Sequence, residues 1–300
     1  MTSFNAVAVY AEGSELRVLP LRVSLRSETL AQDFFAGPLW RSGLGLALQR
    51  HFPDVFELLF AEHARLGRLY ALQPPAGPVR PGEVFELGLR LMGPACEHAL
   101  ACIAALVQLG EMGLGQGRGR FSLLSARVAV EGMVPFMEGD RGLLAWPRAM
   151  AARHWLDHSA GQVRRVRIEL LTPLRIKDGN AACLGPLAFS TLVRRLHGRL
   201  AQLCEAAGEV HPLTRETTAR QLEAAASVRL VESTLERVTV RRKSSRSRQT
   251  MKVEGVTGQM VYEGELSQFA GLLALGQVLQ LGGKTSFGFG LFRAHFSFED

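Results

Sequence analysis

The sequence predicts an α+β protein made of two tandem ferredoxin-like (βαββαβ) domains. Two observations carry that expectation. The apolar patterns of the first half run strand, helix, strands, helix, strand, and the second half repeats the order. In addition, Leu106–Val128 and Leu275–Phe296 both pass from a helix through Leu-Gly and a glycine-rich loop into a strand. An internal echo of this length decides architecture before any single element does.

Each element has its own warrant. Glu15–Leu25 alternates apolar and polar residues as a half-buried strand does. Gly37–Phe60 reads as helix, with Pro53 marking its end. Phe85–Gly93 alternates again, His98–Gly119 is an apolar helix running into glycines, and Phe121–Val130 is a strand. In the second half, Arg165–Ile176 is a strand, and the amphipathic helix that follows ends at Gly208. Ala226–Val240 and Met251–Glu263 are strand-like, Glu265–Gly283 is a final helix, and Phe287–Phe298 closes the chain as a strand. Glycine, proline and mixed charge between the halves place the first domain at 1–135, a linker at 136–162 and the second domain at 163–300.

Composition narrows the partners. A chain of 300 residues with 47% hydrophobic content can bury real cores. Thirty-five Lys and Arg against 28 Asp and Glu leave +7, which favours polyanions. Cys96, Cys102, Cys183 and Cys204 show no CxxC pairing, so buried free thiols in a reducing cytoplasm are expected rather than zinc or disulfides. With Glu12 inside an N-terminus that has no basic leader, and no apolar run of membrane length, a cytoplasmic protein without membrane contact is expected.

Two stretches carry chemistry. The first is LGGKTSFGFG, Leu281–Gly290. A nucleotide-binding P-loop needs glycine five residues before Gly-Lys-Thr, where this chain has Val278, and a preceding strand, where this chain reads as helix. That reading is excluded. Two readings stay open. The backbone of Gly282, Gly283, Gly288 and Gly290, with Lys284, Thr285 and Ser286, suits phosphate or ribose contacts, or the glycines simply permit a tight turn. The second stretch is Arg241–Lys252, which holds Arg241, Arg242, Lys243, Arg246, Arg248 and Lys252 and no acid. Its serines read as a mobile loop between two strands, and its cations as phosphate contacts or a solvated surface. In the long second-half helix, Arg194, Arg195 and Arg199 are expected on one exposed basic face.

These pieces resemble the RAMP superfamily of CRISPR systems, and within it the CRISPR-associated endoribonucleases that cut precursor crRNA in its repeats. The similarity covers most of the chain. GGKTSFGFG is similar to the family's glycine signature, and LWRSGLGLALQR, with Arg41, Gly43, Gly45 and Arg50, to its arginine–glycine helix start. LLTPLRIKDG is similar to the strand opening its C-terminal domain, and SRSRQTMKVEGVTGQMVYEGEL to its last strands. The resemblance implies binding and cleavage of repeat RNA without metal or other cofactor. Attack by the ribose 2′-OH would leave a 2′,3′-cyclic phosphate, with the crRNA kept in an effector complex alongside other CRISPR subunits. The alternative it implies is a non-catalytic RAMP subunit that only holds guide RNA. Family members often use a histidine in or just after the first helix, so His51 is the matching catalytic candidate, with Arg22, Arg41 and Arg242 as cationic alternatives. His154 and His158, four apart, form a weaker pair, while His63, His98 and His295 read as surface or packing residues. One departure stands out. Relatives carry clustered cysteines after the first helix, and between Phe52 and Arg90 this chain has none, so no structural zinc is carried over.

Overall fold

β1 (Arg17–Ser27) buries Leu19, Leu21, Val23 and Leu25 on alternate positions, and this period of two fixes the face it turns to its helices. The computed structural model describes residues 15–32, 35–60, 68–130, 135–157, 161–178, 181–243 and 250–298. β1 is followed by α1 (Gly37–His51), α2 (Pro53–Phe60), β2 (Tyr70–Gln73), β3 (Val84–Met92), α3 (Ala99–Met112) and β4 (Phe121–Val128). β1 pairs antiparallel with β3, Val18 opposite Met92, and with β4, Leu21 opposite Val128. The resulting order β2-β3-β1-β4 is the ferredoxin-like arrangement.

Local chemistry sets the helix ends. α1 starts with proline in its first turn and ends on Arg50 and His51, cations that suit a helix C-terminus. Pro53 cannot continue it and opens α2 instead, so the single helix expected over 37–60 is two. The segment expected to link the halves adds β5 (Pro135–Glu138), β6 (Gly142–Leu143) and β7 (Met150–Ala151) to the first sheet, then α4 (Arg153–Leu156).

The second half holds β8 (Val163–Leu174), a small hairpin of β9 (Ile176–Asp178) and β10 (Ala181–Cys183), α5 (Phe189–Ala207), α6 (Arg215–Ala224), β11 (Arg229–Lys243), β12 (Thr250–Glu263), α7 (Ala270–Leu279) and β13 (Phe292–Phe298). Its sheet runs β11-β12-β8-β13, the same topology again. Gly208 closes α5 in the left-handed conformation, φ +66°, where glycine carries no Cβ penalty. α6 had no counterpart in the sequence reading. Thr214 caps it, Oγ1 accepting from the Thr217 N–H at 3.1 Å.

The halves are joined through buried surface. The core of the first half takes in Leu200, Leu203 and Cys204 of α5 and Leu275 and Leu279 of α7. At its margin Arg17 grips Glu209 twice, through Nε at 2.7 Å and through its backbone N–H at 2.9 Å. Gln280, fully buried, donates from Nε2 to the Leu72 carbonyl at 2.8 Å. The four cysteines are free, and burial pushes the thiols of Cys96, Cys102 and Cys204 up to about 12. The helical run Gly93–Met112 is long and apolar enough to cross a membrane by length and composition, which corrects the expectation of no such run. Half of it is buried, and Cys102, Ile103, Ala105 and Leu106 are fully enclosed in the first core.

Candidate functional site

The glycine loop is a closed scaffold. α7 stops at Leu279, and the chain then uses positive φ at Gly282, Lys284, Gly288 and Gly290, conformations that favour glycine. A single 3₁₀ turn, Thr285–Phe287, sits between them. The N–H groups of Gly283, Phe287, Gly288, Phe289 and Gly290 donate to the carbonyls of Arg175, Lys284, Thr285, Lys284 and Pro173. Leu281 donates to Gly290, which ties the two ends of the loop together at 2.8 Å. Thr285, Ser286, Gly288 and Gly290 are buried, while Gly283 and Lys284 are exposed. Three of those N–H groups hold the loop's own shape, those of Gly283 and Gly290 dock it on Arg175 and Pro173, and the face it turns to solvent is Gly283–Lys284.

This scaffold is pressed against the first half. A Cβ on Gly37, at the start of α1, would overlap the Phe287 carbonyl oxygen, and one on Gly288 would overlap Pro74 just after β2. The Arg41 guanidinium, one turn into α1, lies over two rings, Phe60 at 4.9 Å and Phe287 at 5.1 Å. Lys284 Nζ lies 5.5 Å from the centre of the same Phe287 ring. Two cations are therefore held on one aromatic side chain, an arrangement worth about 0.5–2 kcal/mol per pair depending on desolvation. Beneath them the Tyr70 hydroxyl is enclosed beside Arg41, Arg68 and Ser286. Burial raises the phenol above its ordinary range, and the two arginines oppose that rise.

The basic hairpin is anchored at the same place. Val240 of β11 and Val253 of β12, directly opposite each other, pack with Phe287, Phe289 and Phe35. The cationic run starts one residue further out, with Arg241 opposite Lys252, Arg242 opposite Met251 and Lys243 opposite Thr250. Lys252 is exposed. Arg246 and Arg248 lie outside the described residues.

Other candidates stand apart. His51 is the exposed last residue of α1, ten residues and so about 15 Å along the helix from Arg41. Arg22 sits on the first sheet's other face, opposite in sense to buried Leu21 and Val23, where it pairs with Glu86 at 3.0 Å. His154 packs edge-on to Trp155, and His295 bonds Glu169 at 2.8 Å. His63 and His158 lie outside the described residues. Among the described residues no group of three or more His, Cys, Asp or Glu is placed to hold a metal ion.

Arg199 corrects an expectation. Arg194 and Arg195 are exposed on α5, but Arg199 is buried and braces the loop from within. Its Nη2 donates to Thr285 Oγ1 at 3.1 Å, and its Nε and Nη2 reach the Leu279 carbonyl at 3.4 Å, at the C-terminal end of α7. Burial pulls its pKa down to about 10, and the negative end of the helix dipole is the compensating partner. The sequence held the signal. Arg199 falls on the apolar stripe Leu192, Leu196, Leu200, Leu203, at the spacing of core positions. The aromatic clamp of Phe35, Phe60, Phe287 and Phe289 joins residues far apart in the chain, and no local pattern announces it.

Residues 168–292 match the family model of the CRISPR-associated endoribonuclease Cas6. That match lies within the C-terminal half of the chain and makes it similar there to the Cas6 family. Residues 16–144 match a second family, described as an N-terminal domain. No curated protein matches at a significant level. Solved structures agree on the fold. A Cas6 product complex is 17% identical, covers 93% of this chain and 100% of its own, and superposes with a TM-score of 0.62. The Cas6 of Thermus thermophilus is 14% identical, covers 94% and 100%, and gives 0.61. A partial Cas6-RT-Cas1–Cas2 complex is 15% identical, covers 95% of this chain and 47% of that one, and also gives 0.61. Identities this low fix the fold alone. The resemblance to CRISPR-associated RAMP-superfamily endoribonucleases is upheld, and the Cas6 match runs from within β8 through α7 to the first residue of β13 and so contains the whole glycine loop.

Proposed function

We propose that this chain binds CRISPR repeat RNA across the glycine scaffold and cuts it there without a metal ion. The observation that carries the proposal is the meeting of three separate elements at Phe287: Arg41 of α1, Lys284 of the loop and the Val240–Val253 stem of the basic hairpin. Together they form a cationic, partly desolvated edge, of which Lys284 and the hairpin stem lie within the region matching the Cas6 family and Arg41 lies within the N-terminal match.

In the proposed reaction the 2′-oxygen of one nucleotide forms a bond to the adjacent phosphorus as the bond to the 5′-oxygen breaks. The 2′-hydroxyl proton leaves to solvent or base, the departing oxygen takes a proton, and a 2′,3′-cyclic phosphate remains. Charge builds on the non-bridging oxygens, where fixed cations lower the barrier most. Arg41, its plane held between two rings, serves that role, with Lys284 and Arg242 adding charge. His51 remains the base candidate for a strand that reaches the far end of α1, and Arg22 serves on the opposite sheet face. The division at 135 and 163 goes with this reading, the first module supplying Arg41 and the second the loop. Because complexes of Cas6-RT-Cas1–Cas2 share the fold, the proposal extends to other CRISPR subunits as partners and to retention of the cut RNA in the cytoplasm. One observation favours the reading in which the chain only binds guide RNA: the histidine candidate His51 stands about 15 Å along α1 from Arg41, which meets the loop.

Purified protein incubated with its repeat RNA in EDTA tests both. Cleavage with a cyclic-phosphate end is the expected result. Tight binding of uncut RNA would leave only the guide-holding subunit, and no binding would end both readings.

A further inference from the structure

The outward face of the first sheet carries a row of directly opposed residues: Gln73 on β2, Gly88 on β3, Arg22 on β1 and Arg127 on β4. Cross-strand neighbours lie about 4.8 Å apart, so the row is a continuous strip. Gly88 leaves a notch in it. Glycine inside a strand weakens the strand and often marks a place where another group comes close. Here that group is Arg90, two residues along, for a Cβ on Gly88 would overlap Arg90 Nη1 and would stand 2.8 Å from Gln73 Cβ and 2.9 Å from Gln73 Oε1.

Arg90 is 7% exposed, and its Nε and Nη1 have no hydrogen-bond partner among the described residues. Gln73 Oε1 is buried without one as well. Among the described residues the acid that pairs with these groups is Glu86, and it is already shared by Arg22 at 3.0 Å and Arg127 at 3.1 Å. Three guanidinium groups thus face one carboxylate. Burial first, and Arg22 second, pull Arg90 down to about 10, still charged at neutral pH. A buried, charged donor without partners is a costly thing to keep.

We infer that Arg90, Arg22 and Gln73 around the Gly88 notch form a seat for a phosphate-type oxyanion, distinct from the glycine loop. Arg22, partly exposed, receives the anion at the open side and Arg90 meets it from below, while Gln73 walls the notch beside them. The seat adjoins the proposed cleavage site. Leu72 and Pro74, on either side of Gln73, are the residues that Gln280 and Gly288 of the loop region touch. The backbone of an RNA strand leaving the loop would pass over it, and a free phosphate would satisfy the same donors. The RNA source rests on the function proposed above; the seat itself does not.

Two probes separate these cases: inorganic phosphate, read by its effect on the thermal midpoint, and repeat RNA with a 2′-deoxy block at the cut, read by affinity against salt. Phosphate is expected to stabilise the native chain, and the gain to vanish in Arg22→Gln and Arg90→Met while Arg90→Lys keeps part of it. Arg22 is a surface residue, so its variant keeps the test decisive if Arg90→Met fails to fold. If RNA crosses the seat, affinity falls about tenfold in Arg22→Gln and the salt slope drops by about one. Loss of the phosphate effect with RNA binding unchanged identifies free phosphate as the occupant. Equal phosphate stabilisation in native, Arg22→Gln and Arg90→Met protein overturns the seat, whatever the cleavage assay has shown.

Discussion

Replacing Arg41 with alanine is expected to slow single-turnover cleavage of repeat RNA by about 100-fold, the usual loss when one fixed donor to a developing oxyanion is removed. Affinity for the uncut RNA should fall less than tenfold, because the basic hairpin and Lys284 still neutralise phosphates. Arg41→Lys should recover little. A lysine keeps the charge but not the flat fork that sits between Phe60 and Phe287. His51→Ala, at the exposed end of α1, should cost less than tenfold in the same assay. Unchanged cleavage in Arg41→Ala with a large loss in His51→Ala would reverse these roles and make Arg41 a packing residue.

Gly290→Ala is expected to destabilise the chain by at least about 3 kcal/mol. Left-handed backbone at φ +77° costs an L-residue about 1–2 kcal/mol, and the new methyl would overlap the carbonyl of Leu281, whose N–H closes the loop onto Gly290. A change of that size lowers the melting midpoint of a chain this long by about 5 °C or more. Gly77→Ala is the matched control, since φ is not positive there and nothing lies within 4 Å of its added Cβ. RNA binding should fall with stability in Gly290→Ala, because Phe287 and Phe289 tie the loop to both α1 and the hairpin. Equal midpoints for the two variants would mean that the loop is pliant.

The fold was legible because it rests on periodicity. β1, β3, β4, β8, β11 and β12 all alternate, and Gly208 and Pro53 punctuate helices in ways fixed by their own backbones. The misses have physical reasons. β2 spans four residues, Tyr70–Gln73, too short for alternation to register, and β6 and β7 have two residues each. α6 is short and largely polar, so its cap was its one signal. The candidate site was legible only in its parts. Glycines and cations stand out in a sequence, but whether a loop's N–H groups face an anion or the protein's own carbonyls is settled by closure. At Gly283, Gly288 and Gly290 closure takes them. Likewise, the meeting of Arg41 with Phe287 spans more than two hundred residues of chain, and Gly88 gives no sign in sequence that Arg90 lies across it.

The most direct test is to map where RNA touches the protein. Repeat RNA carrying a photoreactive uridine beside the cut position should crosslink, in EDTA, to peptides holding Phe35–Arg41 and Gly282–Phe289. Crosslinks confined to α6, or to the α3–β4 side around Glu111 and Glu138, would contradict the account, since no cationic edge of the glycine scaffold lies in those segments.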